Sequence, residues 1–165
     1  MTFSLLPAFF PAMIESFKNN DFFFVLGEGD AAWDADPPLI GDLLAEPSYP
    51  AAPLGYKRCL DKRWVTPDVA GAIIVQGTHY TISTEPTLFL YLSGLFDWGE
   101  VPFGDFRELA VVINPTLPED ASPGVNFFQP EELLDPGTPV AYAILAKEER
   151  NVLIQEGFKF LISFD

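Results

Sequence analysis

Apolar residues along this chain follow two different periods, and the switches between them outline its elements. Phe10, Met13, Ile14 and Phe17 recur at i, i+3, i+4 and i+7, one face of an α-helix, with Pro11 tolerable in its first turn and Asn19-Asn20 as a stop. Phe22 to Leu26 then contains no polar residue, which suits a strand covered on both faces and so a central place in a sheet. Residues 54–63 read as a short helix. Residues 69–76 and 80–83 read as strands around Gly77-Thr78, and 87–92, 106–113 and 152–164 as further strands. In the last of these Phe158, Phe160, Ile162 and Phe164 alternate with Lys159, Leu161 and Ser163, the period of a half-buried strand. Residues 115–139 read as irregular. No internal repeat is visible. The expected fold is α/β (α+β): one domain over residues 1–165, with a mixed β-sheet flanked by helices.

Between the first strand and the second helix the periodicity stops. Residues 28–53 hold five prolines, six acidic residues and no basic residue, a long irregular stretch of the kind that is usually functional when it interrupts a compact domain. The pattern reads as a Pro-rich acidic arm. Lys57, Arg58, Lys62 and Arg63, four of the nine basic residues, follow it closely and are its natural internal counterpart.

Composition narrows the function classes. A formal charge of −15 repels phosphate backbones and anionic headgroups, which argues against nucleic acid or a membrane as partner. The longest apolar runs fall far short of the roughly 20 residues of a membrane span, and the N-terminus has neither a basic region nor a clean apolar segment, so a soluble protein without a secretion signal is expected. One cysteine, Cys59, permits no internal disulfide and fits a reducing cytoplasm. Sixteen Phe in 165 residues exceed what a small core readily absorbs, and surplus rings favour an assembly subunit.

Candidate chemistry is sparse. Gly27-Glu28-Gly29-Asp30-Ala31-Ala32 fits a dinucleotide fingerprint, but Pro37-Pro38 leaves barely a turn of helix to receive a pyrophosphate, and Asp30, Asp34 and Asp36 set negative charge where it would sit. The same aspartates lack the spacing and the glycine of a calcium-binding loop. His79 is the single histidine, which excludes a two-histidine zinc motif and leaves it as a turn or strand residue. Glu100 with Asp105, in the loop around Trp98 and Phe103, is a carboxylate pair of the kind a glycoside hydrolase needs, though every acidic protein offers such pairs. Arg107, alone between Arg63 and Lys147 as a basic residue, is either an edge arginine or one bonded into the domain through its fork of donors. No catalytic residue, cofactor, metal or small-molecule substrate is expected.

Read in order, Asn20-Asp21-Phe22-Phe23-Phe24-Val25-Leu26-Gly27, Trp33-Asp34 and Pro37-Pro38 resemble the opening of baseplate wedge proteins from contractile-tailed bacteriophages. Lys57-Arg58 leading to Pro67-Asp68-Val69, Gly77-Thr78-His79-Tyr80, Phe106-Arg107-Glu108-Leu109-Ala110 with Asn114-Pro115, and Gln155-Glu156 before Phe158-Lys159-Phe160-Leu161-Ile162 resemble later segments of that family, in the expected order. Departures are Glu28-Gly29-Asp30, where a more basic, Thr-rich turn is usual, and Asn151-Val152 in place of more polar residues. The resemblance implies a structural virion protein of the tail baseplate, assembled in the host cytoplasm. It also implies a homodimer that contacts other wedge or tail proteins; the alternatives are a tail-fibre adaptor and a baseplate-associated glycan hydrolase. T-even members carry a β-domain inserted between two halves of an α/β domain; this chain is too short for it, and the halves would join between Thr84 and Gly104. On this reading the interface comprises Trp33, Leu39, Ile40, Leu43, Leu44 and Tyr49, with Lys57, Arg58, Lys62 and Arg63 as electrostatic partners.

Overall fold

The computed structural model describes residues 9–39, 50, 52–97, 99–101, 104–150 and 155–164. Within them the chain forms one α-helix, two short 3-10 helices and ten strands arranged in two five-stranded sheets. This corrects the expected α/β fold with helices flanking a mixed sheet. Parallel strands need crossovers of a dozen or more residues, usually helical. Here prolines and glycines interrupt the chain every few residues, so short connections favour antiparallel neighbours.

Sheet one has the order β8-β2-β1-β7-β9, with every neighbouring pair antiparallel. Its strands are β1 (Phe22–Gly27), β2 (Pro53–Arg58), β7 (Gly104–Ile113), β8 (Phe127–Phe128) and β9 (Thr138–Arg150). The expectation for β1 holds: all six residues are buried and the strand lies mid-sheet between β2 and β7. One face packs Phe23 and Val25 with Tyr56, Ala110, Val112 and Phe128. From residues 115–139, expected to be irregular, Leu117, Ala121 and Leu133 cover that face, and β8 supplies a short outer strand. On the other face the Phe24 ring lies against Gly94, where an added Cβ would come within 2.6 Å of it.

Sheet two has the order β10-β6-β3-β5-β4, formed by β3 (Asp61–Pro67), β4 (Ile73–Val75), β5 (Thr78–Ile82), β6 (Phe89–Phe96) and β10 (Glu156–Ser163). Val65, Val75, Tyr80 and Tyr91 form a cluster there, with Ile73, Phe89 and Leu161 packed on it. The helix read from Phe10, Met13, Ile14 and Phe17 is present as α1 (Phe9–Lys18). Ile14 is buried and Phe17 meets Phe164 edge-on at 5.4 Å, but Met13 faces solvent.

By its contacts the chain divides into two compact units. One comprises Asp21–Cys59 and Gly94–Gly157, the other Met1–Asn20, Leu60–Ser93 and Phe158–Asp165. The helix expected at 54–63 is instead β2, Cys59-Leu60 and β3, so the segment straddles the boundary between units. Pairing with β1 draws this stretch into the sheet, where Gly55 sits opposite Leu26 and under the Phe127 ring, so close that a Cβ would come within 2.5 Å of it. Residues 69–76 shorten to β4 because Val69, 97% exposed, belongs to a turn capped by Asp68. Gln76 and Gly77 both take positive φ, the geometry of a tight hairpin turn.

Candidate functional site

The acidic arm proves to be the connection between two neighbouring strands. Gly27 pairs with Pro53, and the Glu28 N–H donates to the Ala52 carbonyl at 2.9 Å, so the arm leaves sheet one and returns to it at the same place. Closing a long loop costs conformational entropy that grows slowly with length, and pinning its base restricts it further. Consecutive residues of β7, Arg107 and Glu108, provide that pinning.

Arg107 holds the outgoing limb. Its side chain is only 5% exposed; Nε donates to Asp34 Oδ1 at 2.7 Å and Nη2 to Asp34 Oδ2 at 2.9 Å, a planar two-point match of guanidinium to carboxylate. Nη1 reaches the Glu28 carbonyl at 3.3 Å and Nη2 reaches Asp105 Oδ2 at 3.4 Å. Lys147 on β9 pairs with the same Asp105 oxygen at 2.9 Å. The result is an alternating chain of charges from arm to edge strand: Asp34, Arg107, Asp105, Lys147. The hydrogen bond from Arg107 holds the Asp34 carboxyl below its ordinary 3.8, and the bond from Lys147 does the same for Asp105. Reciprocally, Asp34 raises Arg107 and Asp105 raises Lys147.

The returning limb meets Glu108, which is fully buried. Glu108 Oε2 accepts from the Tyr142 hydroxyl at 2.6 Å, and Oε1 lies 3.4 Å from the Ala52 N–H. Its side chain occupies the space beside Gly27, where any Cβ would collide with it. The second glycine of the apparent fingerprint, Gly29, has φ +66°, and a Cβ there would meet the Trp33 ring at 2.7 Å and Arg107 Cβ at 2.9 Å. Asp30 accepts from the Ala32 N–H at 2.8 Å and caps the 3-10 turn Ala31–Asp34. The Gly27–Ala32 motif thus turns the arm tightly against β7, and two of the three aspartates weighed as calcium ligands serve this turn.

Beside the clamp runs an open groove of about 810 Å³, walled by Trp33, Pro37, Pro38 and Leu39 on the arm and by residues 144–147 of β9. Of the expected interface residues, Trp33 is half-buried at this groove and Leu39 is 74% exposed; Ile40, Leu43, Leu44 and Tyr49 lie outside the described residues. The basic cluster is dispersed. Lys57 is buried, donating to Glu100 Oε1 at 2.6 Å, Glu100 Oε2 at 2.8 Å and Asn126 Oδ1 at 2.8 Å. Arg58 reaches Asp21 at 3.5 Å and stacks over the Phe23 ring, Lys62 donates to the Asn20 carbonyl at 2.8 Å, and Arg63 pairs with Asp61 at 2.5 Å.

The pair weighed for hydrolysis is bound up in the same structural work. Glu100 receives Lys57 and the Asp97 N–H, and Asp105 receives Lys147 and Arg107. A general acid needs a raised pKa, whereas Asp105 is shifted the opposite way. His79 sits in β5 with Nδ1 donating to the Gly71 carbonyl at 2.9 Å, a strand residue with a structural bond. Sequence reasoning weighed Arg107 but missed Glu108, Tyr142 and Lys147. An isolated Arg-Glu pair opening the apolar run Leu109–Ile113 was the available signal for Glu108; none pointed to Tyr142.

A β-sheet scaffold that uses its buried charges to aim a loop, beside an open apolar groove, has the build of a structural assembly protein. The chain belongs to the baseplate wedge 3 tail fiber network component family, whose model matches residues 11–164. It is therefore a component of the phage tail baseplate within the virion. No curated protein matches it.

Proposed function

We propose that this protein is a non-enzymatic wedge subunit of a contractile tail, acting through protein–protein contacts, and that its arm docks on a second copy or on a neighbouring wedge protein. The observation carrying this reading is the clamp. Two successive β7 residues hold both limbs of a loop, and on its outgoing limb Leu39 is three-quarters exposed beyond Pro37-Pro38. Prolines lower the entropy lost on ordering such a loop, so docking it costs less.

On this reading Trp33, Leu39, Ile40, Leu43, Leu44 and Tyr49 form the apolar contact, with Arg58, Lys62 and Arg63 of the docked copy as electrostatic partners of the acidic arm. Lys57 contributes by fixing Glu100 within its own chain. Sedimentation velocity tests the idea: the intact protein should run as a dimer, and Leu43→Asp/Leu44→Asp should convert it to a folded monomer. A wild-type protein that stays monomeric at high concentration rules out the homodimer. The words "tail fiber network" in the family description favour one second reading, an adaptor for receptor-binding fibres. Co-purification with fibre proteins but not with wedge subunits would establish it.

A further inference from the structure

The buried Lys57 amine meets a carboxamide as well as a carboxylate. Its side chain is 6% exposed, and Nζ donates to Glu100 Oε1 at 2.6 Å, Glu100 Oε2 at 2.8 Å and Asn126 Oδ1 at 2.8 Å. Three stretches of one unit, remote in sequence, converge on this nitrogen: β2 supplies Lys57, the connection from β6 to β7 supplies Glu100, and Asn126 immediately precedes β8.

Each partner is also held from a second side. The Glu100 carboxylate accepts from the Asp97 N–H at 2.7 Å, and the Glu100 N–H donates to the Asp97 carbonyl at 3.3 Å. The Asn126 carbonyl accepts from the Arg58 N–H at 2.7 Å, beside the pairing of Lys57 with Phe127. Gly55, on the same strand face as Lys57, lies against the Phe127 ring and Val101, and Phe96 meets Phe127 edge-on at 6.3 Å. The surroundings are apolar and restrict water.

An amine held against a carboxamide and a carboxylate is the set that forms an amide bond between side chains. The amine must lose a proton to become a nucleophile, and the leaving nitrogen must gain one. Asn126 Cγ lies one bond beyond the oxygen that Nζ touches, and both Glu100 oxygens are in reach to carry protons. Reactants placed in this way need no encounter, which removes much of the entropic barrier.

We propose that Lys57 and Asn126 are the site of a covalent cross-link, an isopeptide bond from Lys57 Nζ to Asn126 Cγ, formed once per chain with Glu100 as general base and acid. Glu100 takes a proton from the Lys57 ammonium, the free amine adds to Cγ, and the bond from Cγ to Nδ2 breaks. Two protons lost by Nζ pass through Glu100 to Nδ2, which leaves as ammonium with Glu100 again ionised. One C–N bond forms and one breaks, with no change of oxidation state and no co-reactant. The bond ties β8, two residues long at the sheet's edge, to β2. It thereby fastens residues 114–137, from which Leu117, Ala121 and Leu133 cover the core. It is independent of the arm and its docking.

Intact-mass spectrometry of the full-length protein is the test. The chain should weigh less than its sequence requires by about 17 Da, the mass of ammonia, and a digest should hold a branched peptide joining the Lys57 and Asn126 segments. Lys57→Met and Asn126→Ala should each restore the full mass. Glu100→Gln should slow cross-linking by about a hundredfold, leaving a chain that is folded by circular dichroism at full mass. Wild-type protein at full mass, a mass loss without the branched peptide, or a loss that persists in Asn126→Ala overturns the proposal. So does a folded Glu100→Gln chain cross-linked to the wild-type extent. Where a variant fails to fold, the wild-type mass and its branched peptide decide alone.

Discussion

Strands β1 and β9 lie on either side of β7 in the same sheet, yet they are opposite in kind. β1 is six residues with every side chain buried; β9 is thirteen residues on the sheet's edge, with residues 140–145 half-buried and 146–149 exposed. β1 is regular against β7 over its whole length, while β9 slips register twice. The inner strand supplies cohesion and the outer one supplies chemistry. Lys147, Tyr142 and the bulge that floors the groove all belong to β9. The difference shows how one sheet separates stability from recognition: the strand that can tolerate irregularity is the one whose far edge makes no ladder among the described residues.

Substitutions should expose that division. The largest effect is expected for Phe24→Ala in β1, which opens a cavity against Gly94 and should lower unfolding free energy by about 3–5 kcal/mol in urea titration. A loss below about 1 kcal/mol would mean that the inner strand is not the cohesive one. Tyr142→Phe in β9 should cost less, about 1–3 kcal/mol, because it removes one donor from a buried Glu108 oxygen without changing packing volume. In Arg107→Met the sheet should persist while the arm loosens. Protease cleavage between residues 28 and 53 should quicken by roughly tenfold with little change in the global transition.

Acid should reproduce that local release. Asp34 and Asp105 have depressed values in the folded state, so their contribution is complete above the ordinary 3.8 and is lost as pH falls through the folded values below it. The Arg107 Nε–H resonance should therefore hold its position down to about pH 4 and shift below it. The smallest effect is expected for Ala146→Gln on the exposed bulge, within about 0.5 kcal/mol of wild type by the same urea titration.

Much of this division was legible in the chain itself. Phe22 to Leu26 has no polar residue, and such a run suits a strand covered on both faces, the central place that β1 holds. The 3.6 period of α1 and the alternation in β10 were equally direct, because local periodicity is set by backbone geometry. The proline-rich composition of residues 28–53 suggested an arm, and Pro37-Pro38 argued against the nucleotide reading of its glycines.

Sequence failed where distant partners decide. Ala141-Tyr142-Ala143-Ile144-Leu145-Ala146-Lys147 is rich in good helix formers, yet it lies within β9 because the nine residue pairs of the β7–β9 ladder outweigh propensities worth fractions of a kcal/mol each. The α/β expectation failed for the same reason, since pairing partners are chosen by tertiary packing. The acidic arm and the basic cluster are near in sequence, but Asp34 meets Arg107, 73 residues away, while Lys57 meets Glu100. Charge pairing is decided by which side chains a fold places within hydrogen-bond reach, and that distance is not written in sequence order. The chain alone pointed to an apolar strand running into an acidic, proline-rich segment; only the tertiary structure decided that neighbouring residues of β7 would hold both ends of that segment.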